Sequence, residues 1–398
     1  MIRDAASPCP GASCRSTHSL AIIMRSLRPT TFLVALSLTV GAVRATAQDA
    51  GDTIRRAGGQ VLRNVEVLSE TLTEVKFKQR GKTTSIPSRE VTEIDFGGTG
   101  EVWNRAKFAL SRSDFRRAAD LFQETADKGS RAVVKSHAGF QAASALYLAA
   151  TADTSVAATA ASALSSWIGS NADHRLLPMA RLQLGKALLL AGKSDEALAA
   201  FKTLGTEASA KDLGPTWVAR AKAGLGQALV AKGDFDAART AYLSAAAVLR
   251  TTDSKDAANH DLLVTTQTAQ GECYIAEKRY QEAASFFRDM ANRARNDPAL
   301  IAAGRCGEAQ ANYEAARLKK DMSAVRDAQD VFAQISATDL ADGDATAKAV
   351  YYLAQTILTL GKTGEGTDYS SRATRILKSV VDSYPNSRWA SQARRKKN

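Results

Sequence analysis

Three stretches of this chain repeat one spacing, and that spacing fixes most of what the chain can fold into. LGKALLLAGKSDEALAAF occupies 184–201, LGQALVAKGDFDAARTAY occupies 225–242 and QGECYIAEKRYQEAASFF occupies 270–287. In each, a glycine (Gly185, Gly226, Gly271) is followed 12 residues later by an alanine (Ala197, Ala238, Ala283), and four residues further on by an aromatic (Phe201, Tyr242, Phe287). Residues four apart share a helix face. The spacing therefore predicts two helices pressed together at the glycine and the alanine, with the aromatic filling the gap towards the next copy. Such a hairpin cannot bury its own face, so the copies must stack.

These residues resemble the tetratricopeptide repeat, which has small residues at positions 8 and 20, an aromatic at 24 and often a proline at 32. Fainter copies flank the three clear ones. Trp103, Ala106, Ala118 and Phe122 make one, Ala328 and Phe332 another, and Ala373, Leu377 and Pro385 the last, while the unit around 138–170 matches poorly. The fold class this implies is mainly α, a solenoid of about seven helical hairpins over residues 101–390. Spacings of 41 and 45 residues between the clear copies call for longer helices or inserted loops. Alanine agrees: 75 of 398 residues, close to twice ordinary usage, suit closely packed helices.

Alanine also marks a break. Residues 51–100 contain only Ala57, whereas about a quarter of residues 101–350 are alanine. Residues 48–97 read as a small β-module, with valines at 61, 65 and 67, the alternation Val75-Lys76-Phe77, a turn at Gly81-Lys82, then Ile86 before Pro87, and Val91, Ile94 and Phe96 closing the segment. It resembles the small SH3-like or Sm-like modules that open many exported bacterial repeat proteins. Gly97-Gly98-Thr99-Gly100 reads as a flexible joint, which predicts a module separable from the repeats. At about 46 residues its own core is marginal, so the module is expected to lean on its neighbour or on a partner.

Residues 1–47 read as a leader. From Met24, the expected start, Arg25 and Arg28 precede an apolar run from Phe32 to Val43, and Ala45-Thr46-Ala47 is a small-x-small site that places the cut before Gln48. Twelve apolar residues span about 18 Å, short of a bilayer core of roughly 30 Å. No Cys stands at the cut to carry a lipid. The expected location is the periplasm or cell envelope. Removing the leader takes away five basic residues and one acid, so the net charge falls from +12 to +8. Four basic residues, Arg394 to Lys397, fall in the 391–398 tail, which reads as a solvated basic tail rather than a nucleic-acid contact.

No catalytic pattern emerges. Gly81-Lys82-Thr83 and Gly361-Lys362-Thr363 lack the glycine that a phosphate-binding loop needs five residues earlier, where Lys76 and Thr356 stand. Gly224-Leu225-Gly226 is explained by the repeat. His137, His174 and His260 share no spacing, and Cys273 and Cys306 are 33 residues apart within helical patterns, so they read as buried small hydrophobes, with a single interhelical disulfide as the alternative. No metal, no cofactor, no nucleic acid and no enzymatic reaction are expected.

Two functional classes remain, an exported scaffold that holds a protein or peptide and a structural subunit of a larger envelope assembly, with an enzyme as a remote third. The resemblance implies that the first helix of each pair lines a groove at positions 2, 5, 9 and 12. Here those positions include Lys186, Arg220, Gln227, Thr268 and Glu272, flanked by Leu182, Leu189, Val230 and Ile275. The Lys and Asn with which some tetratricopeptide groups grip a terminal carboxylate are absent at the corresponding 182/186, 223/227 and 268/272.

Overall fold

In the computed structural model, residues 51–252, 256–338, 343–361, 369–385 and 387–397 are described, so the expected leader and its cleavage site lie outside the described residues. Alternating side chains make the first segment a sheet. Strands β1 (Asp52–Arg56), β2 (Val61–Glu70), β3 (Glu74–Gln79), β4 (Lys82–Pro87) and β5 (Val91–Asp95) form one antiparallel sheet in the order β4-β3-β2-β1-β5. Gln79 pairs with Lys82, so the hairpin loop is Arg80-Gly81, one residue before the expected turn. Both have positive φ (51° and 80°), the geometry that lets a two-residue loop follow the twist of its strands.

Fifteen α-helices follow among the described residues: α1 (Gly100–Ser111), α2 (Phe115–Lys128), α3 (Ala132–Ala152), α4 (Ala157–Ser170), α5 (Leu177–Leu190), α6 (Ser194–Ala210), α7 (Pro215–Lys232), α8 (Phe235–Leu249), α9 (Ala257–Ala276), α10 (Tyr280–Arg293), α11 (Pro298–Lys319), α12 (Met322–Ala337), α13 (Gly343–Gly361), α14 (Tyr369–Ser383) and α15 (Arg388–Lys397). They form seven consecutive pairs and a terminal helix. From α3 onwards, the first helix of each pair also touches the first helix of the next, and α15 extends that row beyond α13. Helix starts are written locally. Asp234, Asp256, Asp297 and Asp321 accept backbone N–H groups of their first turns, and Pro178, Pro215 and Pro298 stand at first-turn positions.

The repeat register is a steric one. A Cβ on Gly185 would stand 2.5 Å from the Phe201 ring, one on Gly226 2.5 Å from Tyr242 and one on Gly271 2.4 Å from Phe287. The next pair closes on the same rings, because a Cβ on Gly224 would fall 2.3 Å from Phe201 and one on Gly307 2.3 Å from Phe287. Phe201 and Phe287 are thus each clamped between a glycine of their own hairpin and one of the following hairpin, and Gly224 against Phe201 with Gly226 against Tyr242 accounts for both glycines of Gly224-Leu225-Gly226. Ala197, Ala238 and Ala283 are completely buried opposite. Long helices contribute to the spacings of 41 and 45: α6 and α7 have 17 and 18 residues, and α9 has 20. The poorly matching unit is an ordinary pair, α3 and α4. Four residues after buried Ala160, it carries Leu164, as the last copy carries Leu377, where the other five carry an aromatic.

Two expectations change. The glycine-rich segment does not separate two independent bodies, since Ile54, Val67, Phe77, Ile94 and Phe96 of the sheet segment share one core with Trp103, Ala106, Phe122 and Val134 of α1–α3. Phe96 and Trp103 meet edge to face, with ring centres 6.2 Å apart across the joint. The basic tail continues α15, which buries Trp389, Ala390 and Ala393 against the last pairs, while Arg394 donates to the Pro385 carbonyl. One apolar stripe is enough to dock a basic helix.

Candidate interaction surface

The row of first helices carries the five candidate residues, and the structure divides them into two groups. Lys186 on α5 and Arg220 on α7 belong together. Both are half-buried, and burial lowers the pKa of each; Arg220 lowers that of Lys186 further. The Arg220 guanidinium lies 4.7 Å from the centre of the Trp217 ring, one turn away on α7. Among the described residues neither cation forms an ion pair, and Asp256 influences Arg220 only from a distance. Gln227 and Val230, further along α7, are exposed.

The second group is engaged internally. Glu272 on α9 accepts from Lys348 of α13 at 3.0 Å and from both terminal nitrogens of Arg388 of α15 at 2.7 Å. Burial would raise the Glu272 carboxyl, but Arg388 and Lys348 hold it down at about 2. Lys348 is 2% exposed and also faces the rings of Phe287 and Trp389. Buried Thr268 lines a cavity of about 340 Å³ with Val264, Ala303 and Lys348. Leu182 is buried, and Leu189 and Ile275 are half-buried. Towards α15, then, charge on this face is neutralised within the chain, whereas at α5 and α7 it is not.

Lys348 and Arg388 were invisible as site residues because they meet Glu272 across 76 and 116 residues. The same holds for a cluster at the sheet. His137 and His174, without common spacing in sequence, both face Glu70 of β2. The Glu70 carboxylate accepts from the Arg175 guanidinium at 2.9 Å and lies 3.0 Å from His137 Nδ1 and 3.8 Å from His174 Nε2. Burial would raise this carboxyl, yet His137, Arg175 and His174 hold it at about 2. Burial keeps the His174 imidazole down at about 4, so it is neutral at pH 7. A second anchor joins Asp52 of β1, 1% exposed, to Arg131 just before α3 through two hydrogen bonds of 2.8 and 2.6 Å. These are fixing contacts: they seat the sheet where α3 and α5 begin.

Cys273 and Cys306 are both buried, in agreement with the reading as small hydrophobes, and burial pushes the Cys273 thiol up to about 12. No helix among the described residues is long and apolar enough to cross a membrane.

Comparison with known proteins agrees with this geometry. Residues 105–265 match the family model of the tetratricopeptide repeat-like domain. No curated protein matches the chain. Among solved structures, the apo form of RapI is similar at 13% identity with a TM-score of 0.40, over 67% of this chain and 98% of that one. The apo form of the quorum sensor NprR from B. thuringiensis is similar at 15% identity with a TM-score of 0.47, over 69% of this chain and 75% of that one. A Rap protein complexed with competence and sporulation factor is similar at 16% identity with a TM-score of 0.42, over 71% and 75%. The chain is a helical solenoid of paired helices preceded by a small antiparallel sheet, and its residues 105–265 match the tetratricopeptide repeat-like domain.

Proposed function

We propose that this protein is an exported scaffold of the cell envelope that holds a protein partner on the first-helix face of its solenoid. The observation that carries the reading is the pair Lys186 and Arg220. Half-burying two cations, one of which acts on the other and with only the distant Asp256 acting on Arg220, is costly. Elsewhere on the same face the chain supplies its own counterion, as Glu272 does for Lys348 and Arg388. An acidic group on a partner would complete the α5–α7 site in the same way. The stacked helices offer a long surface with apolar residues such as Leu189 and Val230 beside the charges, which suits an extended or helical segment.

The leader read in residues 1–47 supports export, and recovery of a chain beginning at Gln48 from the envelope fraction tests it by intact mass. Capture from an envelope extract tests the scaffold. The wild-type chain is expected to retain a defined partner that the Lys186→Glu, Arg220→Glu double variant loses. The second reading, a subunit built into a larger envelope assembly, is favoured by the exposed strand β4, an unpaired sheet edge among the described residues. It requires the chain to co-fractionate in one large complex whether or not Lys186 and Arg220 are intact.

A further inference from the structure

Between the sheet and the starts of α5 and α7 lies a cleft of about 540 Å³. Its apolar surface comes from both parts of the chain: Leu72, which follows β2, and Pro178, Met179 and Trp217, which stand at the beginnings of the two helices. Arg89, between β4 and β5, and Lys211, between α6 and α7, stand exposed on its rim, and among the described residues neither forms an ion pair. Arg175 also reaches the cleft, but it is already bound to Glu70. Asp212 is the one acidic side chain on the lining. Trp217 connects the cleft to the solenoid face, because Arg220 lies over the same ring. Arg89 and Lys211 thus stand at the rim of an apolar floor whose Trp217 also carries Arg220.

Resting on the scaffold reading, we infer that this cleft is the docking site for an acidic segment of a protein partner that inserts one aromatic or aliphatic side chain between Met179 and Trp217. Charge complementarity selects the occupant. With Arg89 and Lys211 against the single Asp212, the rim keeps an excess of positive charge that repels basic segments and draws acidic ones, while the apolar floor gives a side chain somewhere to bury. The inference also gives the sheet a function: it forms one wall of the site, which explains why the chain anchors it through Glu70 and Asp52 rather than leaving it on a free linker.

The test uses the intact chain and defined probes, namely a blocked hexapeptide of glutamates with one central phenylalanine, the same peptide with glycine in place of phenylalanine, and the same peptide with lysines in place of glutamates. The acidic phenylalanine peptide is expected to bind about tenfold or more tighter than either control, and more weakly as salt rises. Binding should shift tryptophan fluorescence in the wild type and not in Trp217→Phe, for which calorimetry reads the affinity that remains. Arg89→Glu with Lys211→Glu, two exposed positions, should weaken binding about tenfold with an unchanged circular-dichroism spectrum. Equal binding of the acidic and basic peptides overturns the inference. Unaltered affinity in the Arg89/Lys211 variant overturns it too, as does binding of anionic lipid vesicles in preference to the peptide. Should the peptide fail while partner capture still depends on Lys186 and Arg220, the scaffold reading survives and only the cleft assignment falls.

Discussion

Glu70 on β2 accepts the Arg175 guanidinium at 2.9 Å, across 105 residues of sequence, and through that bond the sheet is seated on the solenoid. The carboxylate has no contact with water to lose, since its side chain is fully buried, and two imidazoles complete its surroundings. A buried charge of this kind destabilises strongly once one partner is removed.

Acid should loosen this anchorage. Glu70 titrates at about 2 in the fold against an ordinary 4.5, so the stability it contributes is fully present above 4.5 and is lost as pH falls from 4.5 towards 2. His174 titrates at about 4 in the fold against 6.5 when free. The fold prefers its neutral form, and stability declines as pH falls from 6.5 to 4. Both groups act in the same direction. Melting temperature is expected to fall steadily below pH 6.5, and Glu70→Gln should lower it at pH 7 and flatten the decline below about 4.5. A melt independent of pH between 7 and 3 would contradict the assignment.

The second anchor gives a separate test. Asp52 accepts from Arg131 twice and also from the Val67 and Gly97 N–H groups. Asp52→Ala removes all four bonds and is expected to cost about 2–3 kcal/mol, because Arg131 is partly exposed and recovers some hydration. Denaturant unfolding measures it, and a loss below about 0.5 kcal/mol would show that the sheet is held by its apolar core alone.

Packing at the repeat signature can be read through two glycines. Gly226→Ala places a methyl 2.5 Å from the buried Tyr242 ring, whereas Gly169→Ala on α4 meets nothing within 4 Å. Both gain helix propensity of about 1 kcal/mol. At Gly226 overpacking of about 1–3 kcal/mol outweighs that gain, so the first variant should melt lower than wild type and the second at or above it. Ala238→Leu, at a fully buried position, should destabilise by a similar amount. Equal melts for the two glycine variants would mean that the register is wrong.

The helical architecture was legible because its determinants are local and periodic: Gly185, Ala197 and Phe201 lie within 17 residues and are repeated. The seating of the sheet was not. Gly97-Gly98-Thr99-Gly100 reads as a linker in any local window, while what overrides that reading, Glu70 with Arg175 and Asp52 with Arg131, depends on pairing over 105 and 79 residues. Glu272 shows the same limit on the candidate site. Its groove position followed from the repeat count, but its engagement by Lys348 and Arg388 depends on how successive pairs bring α9, α13 and α15 together. Lys186 and Arg220 differ because adjacent pairs bring them together, at a range that the repeat period itself encodes.

The two cysteines are expected to remain unreactive thiols. Cys273 and Cys306 are at most 1% exposed, and the Cys273 thiol is pushed up to about 12, far from thiolate at neutral pH. In protein beginning at Gln48, a thiol reagent should label neither until denaturant is added, and then label both. Rapid native labelling would contradict the burial of these residues, and an intact mass two hydrogens lighter would contradict their thiol state.

The central claim is that a partner binds at Lys186 and Arg220. The most direct measurement is the affinity of the captured envelope partner for wild-type chain and for the Lys186→Glu, Arg220→Glu double variant, at low and at high salt. A loss of about tenfold or more at low salt, narrowing as salt rises, is the expected result. Equal affinity of both forms at both salt concentrations would contradict it and place the partner elsewhere on the molecule.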